Sequence, residues 1–388
     1  MGIKMKNDRF ITVVCCSLMM SPVYAASWAP DARGNAMGNT GVTTADFLLA
    51  PFYNPALTAV YRNEDDFGLL LPSVNLNVRD EDDTVSLTDD LQDTISQFEA
   101  AGVGSVDSTT IAKLDHYLDE LSDNQSLGAS GGLGAAVAIP LQTVSLNIYT
   151  RGFVELIADP NIAASTGSSA SAVQSRYQSS SVDLIAFGYT EFGVALARKY
   201  EIQQQLFSFG ITPKYQWMRT YKQVVSVKDF DLDDYDKSEV KDDAFNLDLG
   251  AVWLKDAYRV GVSIKDLFSQ SVETYDGLNS YKLDTQVTVS AGYVGEFLSA
   301  AVDVDMTKQE RFTGKNDDTQ FIRFGIEGNA WGWGQLRAGY EIDMKNTLDD
   351  SVTVGIGLSP GDVVSIDIAG SYAGENQFGG SANLAFTF

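Results

Sequence analysis

The residues able to do chemistry in this chain are few, and their spacing excludes more than it suggests. His116 is the single histidine; it falls in a stretch of helical period, where it reads as a solvated side chain and not as the base of a serine nucleophile. Asp229, Asp231, Asp233, Asp234 and Asp236 alternate as calcium ligands do, but the Gly of the sharp turn and the closing Glu are missing. The run therefore reads as a solvated acidic loop. No catalytic residue, metal or cofactor is expected. What remains are two pairs of opposite charges four residues apart, Arg323 with Glu327 and Arg337 with Glu341. They lie in segments whose other residues alternate in polarity, so they are expected to face one another as an ion-pair ladder inside an enclosed polar space.

Positioning such a ladder requires strands with one apolar and one polar face, which follow from a side-chain period of two. Phe245, Leu247, Leu249, Ala251 and Trp253 enclose Asn246, Asp248 and Gly250; Val287, Val289, Ala291 and Tyr293 enclose Thr288, Ser290 and Gly292. Leu336, Ala338, Tyr340, Ile342 and Met344 enclose Arg337, Gly339, Glu341 and Asp343. A soluble sandwich would turn its charged faces to solvent, whereas a membrane barrel turns them inward and its apolar faces to lipid. The last segment ends with Ala382, Leu384, Phe386 and Phe388 on one face. Leu384, Phe386 and Phe388 are expected to lie on the closing strand of such a barrel, with lipid over them.

Residues 1–25 read as an export signal: Lys4, Lys6 and Arg9, then an apolar run from Phe10 to Met20, then Val23, Tyr24 and Ala25 as a small-residue cleavage site. Cys15 and Cys16 lie in that run, so the mature chain is expected to have no thiol chemistry, disulfide or cysteine metal site. Removal of the signal leaves 24 basic and 51 acidic residues, a net charge of −27, from 27 and 52 in the whole sequence. Nucleic acid is excluded as a partner, because phosphate binding needs a basic footprint. Beyond the signal no run of about 18 apolar residues occurs, which excludes a helical span. Fourteen strands are expected, beginning near Phe67, Gly131, Val144, Ser181, Leu206, Ala244, Tyr258, Asp284, Leu298, Thr319, Gln335, Ser351, Val363 and Phe378. Short connections alternate with long ones, notably 79–130, 158–180, 229–243, 266–283 and 308–318. That asymmetry is the one expected of an outer-membrane barrel with short periplasmic turns.

Ahead of the first strand, residues 26–66 alternate little. Pro30 to Asp46 (PDARGNAMGNTGVTTAD) followed by Tyr53, Asn54, Pro55, Ala56 and Leu57 resembles the N-terminal hatch of FadL-type transporters of hydrophobic compounds. Within that superfamily the chain most resembles the TraF-like outer-membrane family named from plasmid-transfer operons, through Val194 to Glu201, Gly210 to Gln216, Phe245 to Gly250, Gln335 to Tyr340 and Gly357 to Val364. The resemblance implies an all-β transmembrane antiparallel barrel over 67–388 in the bacterial outer membrane, with Asn54, Pro55, Ala56 and Leu57 in a lumenal hatch. Pro fixes φ and Asn bonds nearby backbone, which suits a rigid turn without a sheet ladder.

Within the first long loop, Leu87, Leu91, Ile95 and Phe98 share one helical face, and Ile111, Leu114, Tyr117, Leu118 and Leu121 share another. A helical hairpin over 84–122 is expected, with starts at Ser86 and Ser108. Two functions follow as expectations. One is passage of a hydrophobic small molecule past the hatch; the other is a structural or cell-surface interaction barrel whose partners include conjugation proteins. Outer-membrane lipid and the barrel-assembly machinery are expected partners of either.

Overall fold

The computed structural model describes residues 29–228, 235–315, 317–330 and 332–388. The expected export signal and the acidic positions 229–234 lie outside the described residues. Strands β1 (Gly68–Arg79), β2 (Leu127–Ile139), β3 (Ser145–Asn161), β4 (Ser181–Ile202), β5 (Gln205–Ser226), β6 (Val240–Lys255) and β7 (Tyr258–Lys265) form the first half of a ring. A separate hairpin, β8 (Gln270–Glu273) and β9 (Ser280–Leu283), follows. The second half is β10 (Gln286–Val294), β11 (Leu298–Asp305), β12 (Phe321–Ala330), β13 (Gly334–Asp343), β14 (Ser351–Leu358), β15 (Val364–Gly374) and β16 (Gln377–Thr387). All neighbours are antiparallel, and β1 pairs with both β2 and β16, so fourteen strands close a barrel.

The period of two decides which way each strand faces. In β14, Val352, Val354, Ile356 and Leu358 are exposed on the outside, while Ser351 and Thr353 are buried inside. Phe209 and Ile211 are likewise exposed, with Ser208 and Thr212 fully buried. At the seam Leu69 lies opposite Phe386, and Ala382 opposite Val74. The Phe388 carbonyl accepts the N–H groups of Asp66 (2.5 Å) and Phe67 (3.0 Å), and the Phe67 and Phe388 rings lie 6.4 Å apart. Among the described residues no helix is long and apolar enough to cross a membrane.

The long connections carry structure of their own. Helices α1 (Ala32–Ala36) and α2 (Ala50–Tyr53) precede the barrel; α3 (Thr84–Ala101) and α4 (Ser108–Asp123) make the hairpin between β1 and β2. The start of α3 is Thr84 and not Ser86, because the Asp80 carboxylate accepts the N–H groups of Thr84 (2.6 Å) and Val85 (3.0 Å) and satisfies the first turn. Asp107 caps α4 at Thr109 and Thr110, so that helix begins at Ser108. Strands β2 and β6 start four residues earlier than alternation alone suggested, at Leu127 and Val240, since pairing with β3 and β5 continues past the alternating stretch. A short helix α5 (Ala170–Gln178) and the β8–β9 hairpin lie in connections expected to be loops.

Candidate functional site: an occupied lumen

Residues 29–61 do not join the barrel ladder; they lie inside it. Their backbone is irregular, and its polar groups must therefore be satisfied by side chains of the wall. Ala32 donates to Asn383 (2.8 Å) on β16, and Ser73 on β1 donates to the Pro30 carbonyl (2.8 Å). Gly41 and Val42 donate to Asp303 of β11 at 2.9 and 3.1 Å. Asn147 of β3 reaches the Phe47 and Leu48 carbonyls, Ser208 of β5 the Ala56 carbonyl, and Ser263 of β7 the Tyr53 carbonyl. Lys265 donates to the Phe52 carbonyl, and Thr43 and Ser290 exchange a hydroxyl bond of 2.8 Å. Polar inward positions around most of the ring are thus used to hold one segment.

Asn54, Pro55, Ala56 and Leu57 are all buried in this segment. Asn54 caps a 3-10 turn, Pro55–Ala59, its side chain accepting from the Ala56 N–H while its amide donates to the Val42 and Val262 carbonyls. The wall gives way to let the turn sit down. A Cβ on Gly250 would stand 1.9 Å from Asn54 Oδ1, and one on Gly210, its cross-strand partner, 2.3 Å from the Pro55 carbonyl carbon. Glycine is required there by close backbone approach and not by an unusual φ.

The four charges singled out in the sequence are inward and nearly buried. Arg323 lies opposite Glu341 and Glu327 opposite Arg337 across β12 and β13. Their contacts extend further than a two-strand ladder. Arg337 bonds Glu327 (2.6 Å) and Asp367 (2.5 Å), and Arg323 bonds Asp305 (2.9 Å) and forms an ion pair with Glu341 (3.4 Å). Arg33 of the inner segment grips Glu327 with two N–H groups at 2.9 and 3.0 Å. A circuit results: Arg33 to Glu327 to Arg337 to Asp367, then Asn383, then back to Ala32.

Sequence reasoning missed the second charged layer. Lys214, fully buried, meets Asp266 (2.8 Å), Asp248 (2.9 Å) and Glu191 (3.2 Å), and Arg151 meets Glu191 (2.9 Å). Removal of one such partner leaves an uncompensated buried charge, so the layer holds only as a set. Its signal was available: Glu191, Lys214 and Asp248 all occupy the inward phase of their strands. Toward the long loops lies an aromatic layer, with Tyr281 of β9 stacked on Phe187 (3.7 Å) and edge-on to Phe312 (4.9 Å). Toward the short turns the inner segment packs Phe47, Leu48, Phe52 and Leu57 against Tyr149 and Val252. A cavity of about 30 Å3 beside Asn39, Tyr53, Lys265 and Asp303 separates segment from wall. That is room for water and little else.

The closed, antiparallel ring of fourteen strands has counterparts among solved structures. The solved structure of a TodX monoaromatic hydrocarbon channel mutant is similar, with a TM-score of 0.52 at 12% identity over 92% of this chain and 97% of that one. The toluene transporter TodX of Pseudomonas putida gives 0.48 at 12% identity over 95% and 99%, and a FadL homologue of Pseudomonas aeruginosa 0.49 at 11% over 95% and 98%. No curated protein matches the sequence. The chain belongs to the family described as the F plasmid transfer operon TraF protein, which matches residues 51–305.

Proposed function

We propose that this protein is a gated transport barrel of the bacterial outer membrane, in which residues 29–61 form a hatch that must shift for a hydrophobic small molecule to pass. One observation carries the reading: the lumen is filled by a segment held through side chains and glycine contacts, none of it part of the strand ladder. A closed barrel satisfies its own backbone in lipid without a plug. A detachable plug is needed only where an otherwise open lumen must be kept shut. Exposed apolar residues around the ring favour lipid as the surrounding partner, and the barrel-assembly machinery as the route of insertion. The similar fold of a monoaromatic hydrocarbon channel supports a hydrophobic solute. The Lys214 and Arg151 layer interrupts any apolar path in the resting lumen, so passage requires movement of the hatch and of its contacts.

The test locks the hatch. Thr43→Cys with Ser290→Cys joins it to β10 where the two hydroxyls already touch. Oxidised protein should fail to admit toluene into liposomes, reductant should restore entry, and deletion of residues 27–53 should raise conductance. Equal entry through the oxidised and reduced forms would sink the hatch reading.

A second reading is favoured by the α3–α4 hairpin, where positions 80–123 hold thirteen Asp or Glu and one Lys. It makes the barrel an interaction surface for a basic partner such as a conjugation protein. Failure of both transport assays, with mating efficiency reduced by hairpin deletion, would favour it.

A further inference from the structure

The β8–β9 hairpin stands outside the strand ladder, yet it carries an aromatic side chain into the lumen. Tyr281 of β9 is 2% exposed and sits on a patch of apolar side chains that the wall turns inward: Phe153 and Ile157 of β3, Ile185, Phe187 and Tyr189 of β4, and Met218 of β5. Register makes the patch continuous, since Phe153 lies opposite Tyr189, Ile157 opposite Ile185, and Tyr189 opposite Met218. Glu155, opposite Phe187, stands within it. Its Oε1 takes Arg311, and its Oε2 takes the Tyr281 hydroxyl at 3.2 Å. An apolar patch of this kind on a surface that could meet water marks a place where something else binds.

We infer that this patch is a binding site for a small aromatic solute bearing a hydroxyl, and that Tyr281 occupies it in the closed protein where the solute would lie. The inference rests on the transport reading and names the class of solute carried. The seat is shaped for one ring: Phe187 stacks on Tyr281 with centroids 3.7 Å apart and planes at 7°, and Phe312 meets it edge-on at 4.9 Å and 81°. So little offset makes the Phe187 stack weaker than the offset or edge-on arrangements that aromatic pairs prefer, which leaves the seat open to a competing ring. The occupant can also leave without opening the barrel. β5 holds the hairpin near its turn, through Lys222 to Asp276 (2.6 Å) and Asn279 (3.0 Å) and through Thr220 to the Glu273 carbonyl (2.6 Å). On its other side β9 bonds residues 311–313, themselves part of a connection: the Lys282 N–H donates to the Arg311 carbonyl (2.8 Å) and the Thr313 N–H to the Ser280 carbonyl (2.9 Å). None of these bonds belongs to the ring of fourteen strands. The hydroxyl follows from the carboxylate. Withdrawal of Tyr281 takes the donor from Glu155 Oε2, and a buried oxygen left without its donor is costly. A phenol restores that bond, whereas a plain hydrocarbon ring does not. Exchange of one phenol for another leaves the buried apolar area nearly unchanged, so the solute has only the outer bonds of the hairpin to offset.

The probe is p-cresol, the tyrosine side chain as a free molecule, and toluene is the same ring without the hydroxyl. In hydrogen exchange on the detergent-solubilised full chain at neutral pH, millimolar p-cresol should speed exchange at positions 270–283 at least about threefold as the hairpin lifts. Toluene at the same free concentration should do so less. Tyr281→Ala empties the seat. Calorimetric titration against a protein-free micelle blank should then show p-cresol binding at least about tenfold more tightly than to the wild-type chain, and about tenfold more tightly than toluene. Wild-type exchange unmoved by p-cresol would overturn the assignment even where the alanine variant binds it, because filling an engineered cavity is then all that occurs. Equal responses to p-cresol and toluene would overturn it as well, since Glu155 would then select nothing. If the variant fails to fold, the two wild-type exchange measurements decide alone. The patch and the packing of residues 29–61 are separate clusters, and binding here needs no movement of the hatch, so failure of this test and failure of the locking test are distinct results.

Discussion

At the scale of single residues the lumen is controlled by atoms that are missing as much as by those present. Gly250 leaves room for the Asn54 carboxamide, and Gly250→Ala puts a methyl 1.9 Å from Asn54 Oδ1, with backbone on the other side. Neither can yield without lifting the 3-10 turn off β6. Overpacking of this kind costs about 1–3 kcal/mol, and it falls on the inner segment and not on the ladder. Folded barrel should form in normal yield, while protease added from the short-turn side should cut residues 40–60 faster than in the parent protein. Unchanged protection would mean that the turn is not seated by this contact.

Asp276, in the turn between β8 and β9, gives a pH test. Desolvation pushes its carboxyl up, but the bonds from Lys222 (2.6 Å), Thr274 (2.7 Å) and the Leu278 N–H (3.1 Å), with the Lys222 charge, outweigh it and hold Asp276 at about 2. A carboxylate held below its unfolded value of 3.8 contributes stability that is complete above that value and lost as pH falls through about 2. Hydrogen exchange at positions 274–279 should therefore stay slow at pH 5 and accelerate between about pH 4 and 2, after correction for intrinsic rates. Asp276→Asn should remove that acid step; a step that survives the substitution would assign it to another group.

At the scale of elements, the inner segment and the barrel seam support one another. Ser73 of β1 and Asn383 of β16 are cross-strand partners, and the segment bonds to both, through the Pro30 carbonyl and the Ala32 N–H. The seam needs such support here, because the register of β1 shifts between Leu70 and Ser73, where Pro72 offers no N–H to either neighbour. Asn383→Ala leaves the Ala32 N–H and one bond of Asp367 unmet in a buried site, at about 1–3 kcal/mol. The temperature at which folded barrel converts to the unfolded band on a gel should fall. An unchanged conversion temperature would show that the seam holds without the segment. The α3–α4 hairpin stands apart from this coupling. Its own cluster of Leu91, Ile95, Phe98, Leu114, Leu118 and Leu121 packs against α5 and the far ends of β2 to β5.

At the scale of the whole molecule, closure depends on β16 finding β1. The Phe388 N–H donates to the Phe67 carbonyl (2.8 Å) and its carbonyl takes two N–H groups in return. Each such bond is worth about 1 kcal/mol net, and the ring adds apolar area at the seam. Deletion of Phe388 should lower the yield of heat-resistant folded barrel, with Phe388→Ala intermediate. Full yield from the deletion would remove this residue from the closure argument.

What the sequence determined by itself was everything that repeats. Alternation showed the strands and their inward phase, connection lengths showed the count of fourteen, and helical spacing of Leu91, Ile95 and Phe98 showed the hairpin. These signals are local, so a single chain displays them. The four charges Arg323, Glu327, Arg337 and Glu341 could be expected to face one another on neighbouring strands, but which of them pair came from the register of β12 and β13, which sets Arg323 opposite Glu341 and Glu327 opposite Arg337. Only the tertiary structure decided which residues meet across the lumen. Arg33 lies 294 positions from Glu327, and Ala32 lies 351 from Asn383; nothing in the spacing of either links them. The same holds for Lys214 with its three carboxylates and for the β8–β9 hairpin, whose Tyr281 finds Phe187 only once the ring has closed. A barrel's wall is specified by neighbours in sequence. Its contents are specified by enclosure, which brings distant strands within reach of one segment and is invisible until the last strand has paired with the first.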